Sequence, residues 1–335
     1  MVLNNYMGDE NAVCFLYESG AYASTSGTGQ PVGLVSDHAL KEVENNEGKR
    51  YLCGNSRNVS QFVKTVQDVT GTLTYNPQDW KMLAFALGSN VDGGSPSPYS
   101  HTMTEVASYE PNYSVASGVL QAFTIEDSKK GASVADSGVN FVRSVNGCMV
   151  DVFKLSASEG DLIECTVDYL AQSVAKSSGA ITASTNMTTT PFIAAGVMVN
   201  VPSGTLVKGV KSVDFELNNN LNGPHHLTGS KVISLPQLGN RDYKLDITAD
   251  MDETDAKEFY DQYFKGGSVF NSDVVIIDVA SNVGSRGLIL TCSGCEVVDM
   301  DIPSPNEGVQ EITINVVPES CSAVVNDAIE KYNGW

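Results

Sequence analysis

The chain has 335 residues, and its 20 lysines and arginines against 40 aspartates and glutamates give a net charge of −20, spread evenly over both halves. That length holds one large β domain or two of about 150 residues each, which excludes a mini-domain that depends on disulfides for a core. The acidic field opposes gripping of nucleic acid, and an odd set of seven scattered cysteines makes no disulfide framework.

Residues 1–30 mix polar, aromatic and Gly/Ser/Thr residues and read as an extended N-terminal arm; they lack the basic start and apolar run of an export signal. Residues 51–54, 61–68 and 69–75 are rich in β-branched side chains and alternate, as strands do. Asn76-Pro77-Gln78-Asp79 is a turn that opens a helix, with Asp79 as its cap, Trp80, Leu83, Ala84 and Leu87 on one side, and Gly88 as its end. Residues 89–118 are rich in Gly and Ser and hold Pro96, Pro98 and Pro111, so they read as a long loop.

A hairpin follows. Its first strand begins Gly147-Cys148-Met149-Val150, and in its second strand Cys165, Val167 and Tyr169 alternate with Glu164, Thr166 and Asp168. One face is expected to be buried and the other wet. Residues 173–204, dense in Ser, Thr and Ala, read as a linker between domains. Residues 207–217 then form a strand with Val213, Phe215 and Leu217 on one face and Asp214 and Glu216 on the other, followed by a polar loop at 218–229. Residues 243–248 form a further strand, and Asp252 or Thr254 opens a helix through Phe259, Tyr260, Tyr263 and Phe264. The hairpin then recurs: Gly294-Cys295 starts one strand, and Ile312, Ile314 and Val316 alternate with Glu311, Thr313 and Asn315 in the next. Cys148 and Cys295, like Glu164 and Glu311, stand 147 positions apart, so both strands repeat with one shift. Residues 324–332 read as a short amphipathic helix.

Strand, helix and hairpin therefore occur twice in one order. The expected architecture is mainly β with short helices: two tandem β-sandwich or partial-barrel domains, each with a flanking helix. The boundaries are an arm at 1–30, a first domain at 31–172 with its long loop at 89–118, a linker at 173–204, and a second domain at 205–335.

Catalytic and metal chemistry find little support. Cys292 and Cys295 have the spacing of half a zinc site, but there is no second CxxC, and His225 and His226 lie in another loop. In the first hairpin Cys148 has Val145 where a partner would stand, so buried strand cysteines are expected, with no metal and no cofactor. His38, His101, His225 and His226 all fall in expected loops, and no Gly-x-Ser-x-Gly elbow is near any of them. The apolar run at 191–201 is far shorter than the ~20 residues of a membrane helix, so no membrane partner is expected.

The segment Tyr17-Glu18-Ser19-Gly20-Ala21-Tyr22, the strand-to-helix segment from Gly71 to Trp80, the Gly147-Cys148 strand and Gly239-Asn240-Arg241-Asp242-Tyr243 resemble the tail tube proteins of long-tailed viruses of bacteria and archaea. The order of elements carries this resemblance more than any single motif, and it covers nearly the whole chain. It implies a non-enzymatic virion protein, made in the host cytoplasm and placed in the tail. Its rings would stack into a tube through which the genome leaves, in contact with other tail proteins. The duplication resembles the form with two fused tube domains, which implies trimeric rings that imitate hexamers; plain hexamers are the alternative. DNA would pass without specific binding along an acidic wall, with Asp151, Asp168, Asp299 and Glu311 as candidates to face the lumen. The rival readings are a β-sandwich enzyme with a site built by loop 89–118, and a capsid or tail decoration protein.

Overall fold

Period-two alternation, rather than any helical pattern, governs the regular structure of the described residues. The computed structural model describes residues 12–18, 22–25, 29–49, 61–94, 98–106, 120–130, 140–177, 189–201, 205–207, 209–227, 230–250, 275–280, 286–301 and 310–332. In order these form β1 (Ala12–Tyr17), β2 (Gln30–Pro31), β3 (Leu34–Lys49), β4 (Gln61–Asn76), α1 (Lys81–Leu87), β5 (Gly88–Gly93), β6 (Tyr99–Glu105), β7 (Phe123–Lys130), β8 (Asn140–Ser158), β9 (Glu164–Ala171) and β10 (Ser173–Ser177). The later strands are β11 (Val197–Val201), β12 (Thr205–Leu206), β13 (Val210–Asn218), β14 (Asp242–Asp250), β15 (Val275–Ala280), β16 (Gly287–Ser293), β17 (Glu296–Asp301), β18 (Glu311–Val317) and β19 (Ser320–Asp327). They build two antiparallel sheets, of twelve and seven strands.

The only α-helix among the described residues is α1, and every one of its residues is buried; a single 3-10 turn lies at Ala194–Gly196. Gly88 ends it at φ 95°, a left-handed conformation that favours glycine, with its N–H on the Ala84 carbonyl. Asp79 is not the cap residue, which is Trp80; its Oδ1 receives the Lys81 N–H and its Oδ2 pairs with the buried Lys81 ammonium at 3.0 Å. Phe85 anchors the helix against Phe15 and Phe123, at ring-centroid distances of 5.6 and 4.8 Å.

The two halves repeat register by register. Leu73 of β4 lies opposite Val167 of β9, and Ile247 of β14 opposite Ile314 of β18. Phe153 of β8 lies opposite Val167, and Met300 of β17 opposite Ile314. Even the irregularities recur. A bulge separates Val150 from Val152 as another separates Val297 from Asp299, and one between Val35 and Asp37 of β3 matches one between Val210 and Ser212 of β13. Gly147 and Gly294 both sit at positive φ, 70° and 64°, and the thiols of Cys148 and Cys295 each donate to the carbonyl three residues back. The set β3, β4, β9, β8 is thus matched by β13, β14, β18, β17.

Several expectations are corrected. Residues 89–118 are not one long loop: β5 and β6 form a hairpin, and β6 pairs with β19. Gly/Ser/Pro content masked it, although Ser100 to Thr104 alternate and bury His101 and Met103 against a neighbouring strand. Residues 324–332 are not a helix; β19 runs to Asp327 and buries Cys321, Ala323 and Val325 in strict alternation. Within the expected arm, β1 pairs with β7 and buries Cys14, Phe15 and Leu16. Within the expected linker, β10 pairs with β8 and β11 with β15. His38 and His101 lie in strands, not loops. The expected strand at 51–54 and the helix opened by Asp252 or Thr254 lie outside the described residues.

Candidate functional site

Four strands from each repeat join into one ribbon in the order β3-β4-β9-β8-β13-β14-β18-β17, every neighbour antiparallel. Residues directly opposite share a face, so two surfaces follow from the registers. One face carries Leu73, Phe153, Leu155, Val167, Phe215, Leu245, Ile247 and Ile314, all buried. The other is open; it is polar on each strand from β4 to β17, and on the end strand β3 Asp37 and Lys41 alternate with Ala39 and Val43.

On that open face β4 presents Thr72 and Thr74, β9 presents Glu164, Thr166 and Asp168, β8 presents Lys154 and Ser156, and β13 presents Asp214 and Glu216. Lys244, Asp246 and Thr248 continue it on β14, Glu311, Thr313 and Asn315 on β18, and Asp299 and Asp301 on β17. Carboxylates outnumber amines, and the amines of the inner strands are tied down, while Lys41 on the end strand β3 has no ion-pair partner among the described residues. Lys154 pairs with Glu216 at 3.1 Å, Lys244 with Asp246, and Lys211 with Asp250 and Glu311 at 2.8 and 2.5 Å. Hydrogen bonds to Asp250 and Glu311 hold the Lys211 ammonium well above the usual lysine range. Threonines interleave with the acids, and Thr72 donates to Asp168 at 2.5 Å.

The four candidate residues do not converge on one point. Asp168, Asp299 and Glu311 stand on the open face, the last two exposed. Asp151 is the extra residue of the β8 bulge, where its carboxylate receives the Leu221 N–H at 2.7 Å and its carbonyl receives the Asn219 N–H. Burial raises its pKa, the Leu221 N–H opposes this, and nearby Asp168 adds to the rise. At the common shift of 147, the residue of β8 that corresponds to Asp299 is Val152, and the counterpart of Asp151 is Val298, the extra residue of the matching bulge. Asp214, Glu216, Asp246 and Asp301 belong to the same face and were not among the candidates, although the alternation at 213–217 already set Asp214 and Glu216 opposite the apolar positions.

The buried polar groups serve structure. His101 is fully buried, with Nδ1 2.6 Å from Asp92 and Nε2 facing Asp327 at 3.2 Å and the Ile329 carbonyl at 2.9 Å. Both nitrogens are engaged, so the ring clasps the β5–β6 hairpin to the C-terminal strand rather than moving protons for a substrate. Glu18, also buried, receives the Gly147 N–H and the Thr124 hydroxyl. Cys292 and Cys321 are buried across β16 and β19 with sulfurs 3.4 Å apart, and Cys295 is buried beside them.

Residues 18–316 match the family described as phage tail tube protein. No curated protein matches the chain. A chain of the solved structure "Virion of native gene transfer agent (GTA) particle" aligns with 37% of this chain and 91% of its own length, at 13% identity and a TM-score of 0.27, a likeness too slight to carry an argument.

Proposed function

The chain belongs to the phage tail tube protein family, and from that footing we propose that it is the tube subunit whose copies close into stacked rings around a channel for DNA. It is a structural component of the virion tail and not an enzyme. Each chain supplies two tube units, one built on β3, β4, β8 and β9 and the other on β13, β14, β17 and β18. Three chains then place six units around the axis, and the eight-stranded ribbons line the channel with their open faces. Stacked rings and other tail proteins complete the tube.

The observation that carries this reading is the open, acidic, threonine-lined face running unbroken through both repeats. Duplex DNA bears one charge per ~1.7 Å, and even a modest basic lining would hold it. A wall with excess carboxylate, most of whose amines are tied down, lets the duplex slide. Asp168, Asp299 and Glu311 are lumen residues in this arrangement, and Asp151 braces the turn at 219–221 behind the wall. Electron micrographs of the concentrated protein, averaged end-on, test it. Rings of six units from three chains with an open channel are expected; a monomer at high concentration, or a channelless surface trimer, would overturn the reading.

A further inference from the structure

The join between the two repeats inside one chain is a template for the join between chains. Within the chain β8 meets β13 with Ser158 opposite Ser212 and Val152 opposite Asn218, and Lys154 lies opposite Glu216 with an ion pair at 3.1 Å. By the repeat, the counterpart of β8 is β17 and that of β13 is β3. Both are ribbon ends: β17 pairs only with β18 and β3 only with β4 among the described residues. Such edges are templates for another chain.

Carrying the internal register across sets Lys41 of β3 opposite Asp301 of β17, and Val43 opposite Asp299. Lys41 corresponds to Glu216, since Lys41 faces Thr70 of β4 as Glu216 faces Lys244 of β14. Asp301 corresponds to Lys154, since Asp301 faces Thr313 as Lys154 faces Thr166. The opposite-charge pair is therefore kept while its signs are exchanged. Lys41 and Asp301 are both exposed and have no ion-pair partner among the described residues, and the same edge of β17 exposes 52% of Val298 at its bulge.

We propose that Lys41 of one copy and Asp301 of the next form the ion pair that fixes the register of a β17-to-β3 junction between chains, and that the exchanged signs keep this junction from being confused with the internal one. The partner is a second copy of this chain, and the proposal rests on the ring reading above. The exchange acts as a sorting device. If β3 of a neighbour displaced β13 from β8, Lys41 would face Lys154, and if β17 met a displaced β13, Asp301 would face Glu216. Both wrong junctions set like charges directly opposite, which disfavours them, while the right one attracts. The contact is head-to-tail, so repetition closes a ring once the rotation allows.

Two experiments on the full-length protein test it. Lys41→Cys combined with Asp301→Cys, oxidised after assembly, is expected to give chain-to-chain disulfides up to a closed trimer, whereas Lys41→Cys with Glu296→Cys gives few. Lys41→Glu is expected to raise the concentration needed for assembly by about tenfold, and adding Asp301→Lys restores it. Rings that form normally but show no cross-link at 41 and 301, and no rescue by the double charge exchange, would overturn the junction and leave the tube reading standing. Failure of the unaltered protein to assemble at all would overturn both.

Discussion

His101 stacks face to face on Tyr332, with ring centroids 3.9 Å apart and planes 13° apart, and this contact joins the β5–β6 hairpin to the C-terminal segment. Around it Tyr332 donates to Asp327 at 2.5 Å, receives the Trp80 N–H, and accepts the Tyr17 hydroxyl on its own carbonyl. Burial alone would lower the His101 pKa, but hydrogen bonds and charge from Asp327 and Asp92 outweigh it and raise it. Asp92 is pushed up by burial and brought below the usual carboxylate range by His101, Asn90 and the Tyr332 N–H.

The first prediction follows from those directions. A histidine whose folded pKa is raised contributes stability in full below its unfolded value of 6.5, and that contribution is lost as pH climbs through the folded value. The depressed Asp92 contributes above about 3.8 and its share is lost as pH falls further. Thermal unfolding of the unassembled protein is expected to show falling stability from pH 6.5 upward. His101→Ala leaves buried Asp327 and half-buried Asp92 without their cation, costs about 3 kcal/mol, and flattens that slope. An unchanged slope in the variant would place the pH dependence elsewhere.

The strand-switch glycines give a second prediction. A Cβ on Gly147 would come within 2.8 Å of the Tyr22 ring at a φ of 70°, and the Gly147 N–H is held by buried Glu18. A Cβ on Gly294 would press on the exposed Glu319 side chain, whose carboxylate can swing away but whose Cβ, 2.8 Å off, stays with the backbone. Both Gly→Ala variants pay the left-handed penalty of about 1 kcal/mol, and Gly147→Ala, which also strains the Tyr22 ring and the bond to buried Glu18, is expected to cost the more of the two in urea unfolding. Equal costs would contradict the difference in packing.

Much of this repeat was legible because the two hairpins preserve one spacing, and alternation in Glu164 to Tyr169 and Glu311 to Val316 fixed which side chains share a face. What stayed hidden has physical causes. The strands β5, β6 and β19 are weak on their own: Ser, Thr, Gly and His dominate the first two, and Ala328, Ile329 and Tyr332 gave the third a helical look. Their strand character comes from pairing with one another, a tertiary effect. Asp151 departs from the alternation for a local reason, since a bulge shifts parity and no simple count along β8 reveals it.

Stacking gives a third prediction. With β1 and the β5–β6 hairpin packed in the sheets, the outer part of the β3–β4 hairpin projects among the described residues, because β4 meets β9 only from Val69 onward. There Phe62 is 69% exposed and Val63 38%. Such side chains on a two-stranded extension suit a neighbour along the axis. Phe62→Ser with Val63→Ser is expected to leave the thermal midpoint and the rings unchanged while shortening tubes several-fold in micrographs. Loss of the rings themselves would move this hairpin into the ring.

The fourth prediction concerns the wall. Glu164 and Asp214 are exposed on the open face near the internal junction, and neither forms a salt bridge to a cation among the described residues, so each can be changed without stranding a buried partner. Glu164→Lys with Asp214→Lys adds four units of positive charge per chain at the wall, a change repeated in every copy around the ring. Unaltered tubes are expected not to retain short duplex DNA at low salt, while the variant tubes retain it. That retention should weaken steeply with added salt, with a log–log slope of about −0.9 for each phosphate neutralised. The comparison separates a lumen from an outer surface if the duplex is offered both free and as a hairpin-capped rod too bulky to thread. Retention of the threading duplex alone places these carboxylates on the channel wall, where their charge keeps the genome moving. Equal retention of both forms would put the face on the outside of the tube and leave the acidic excess as a determinant of solubility.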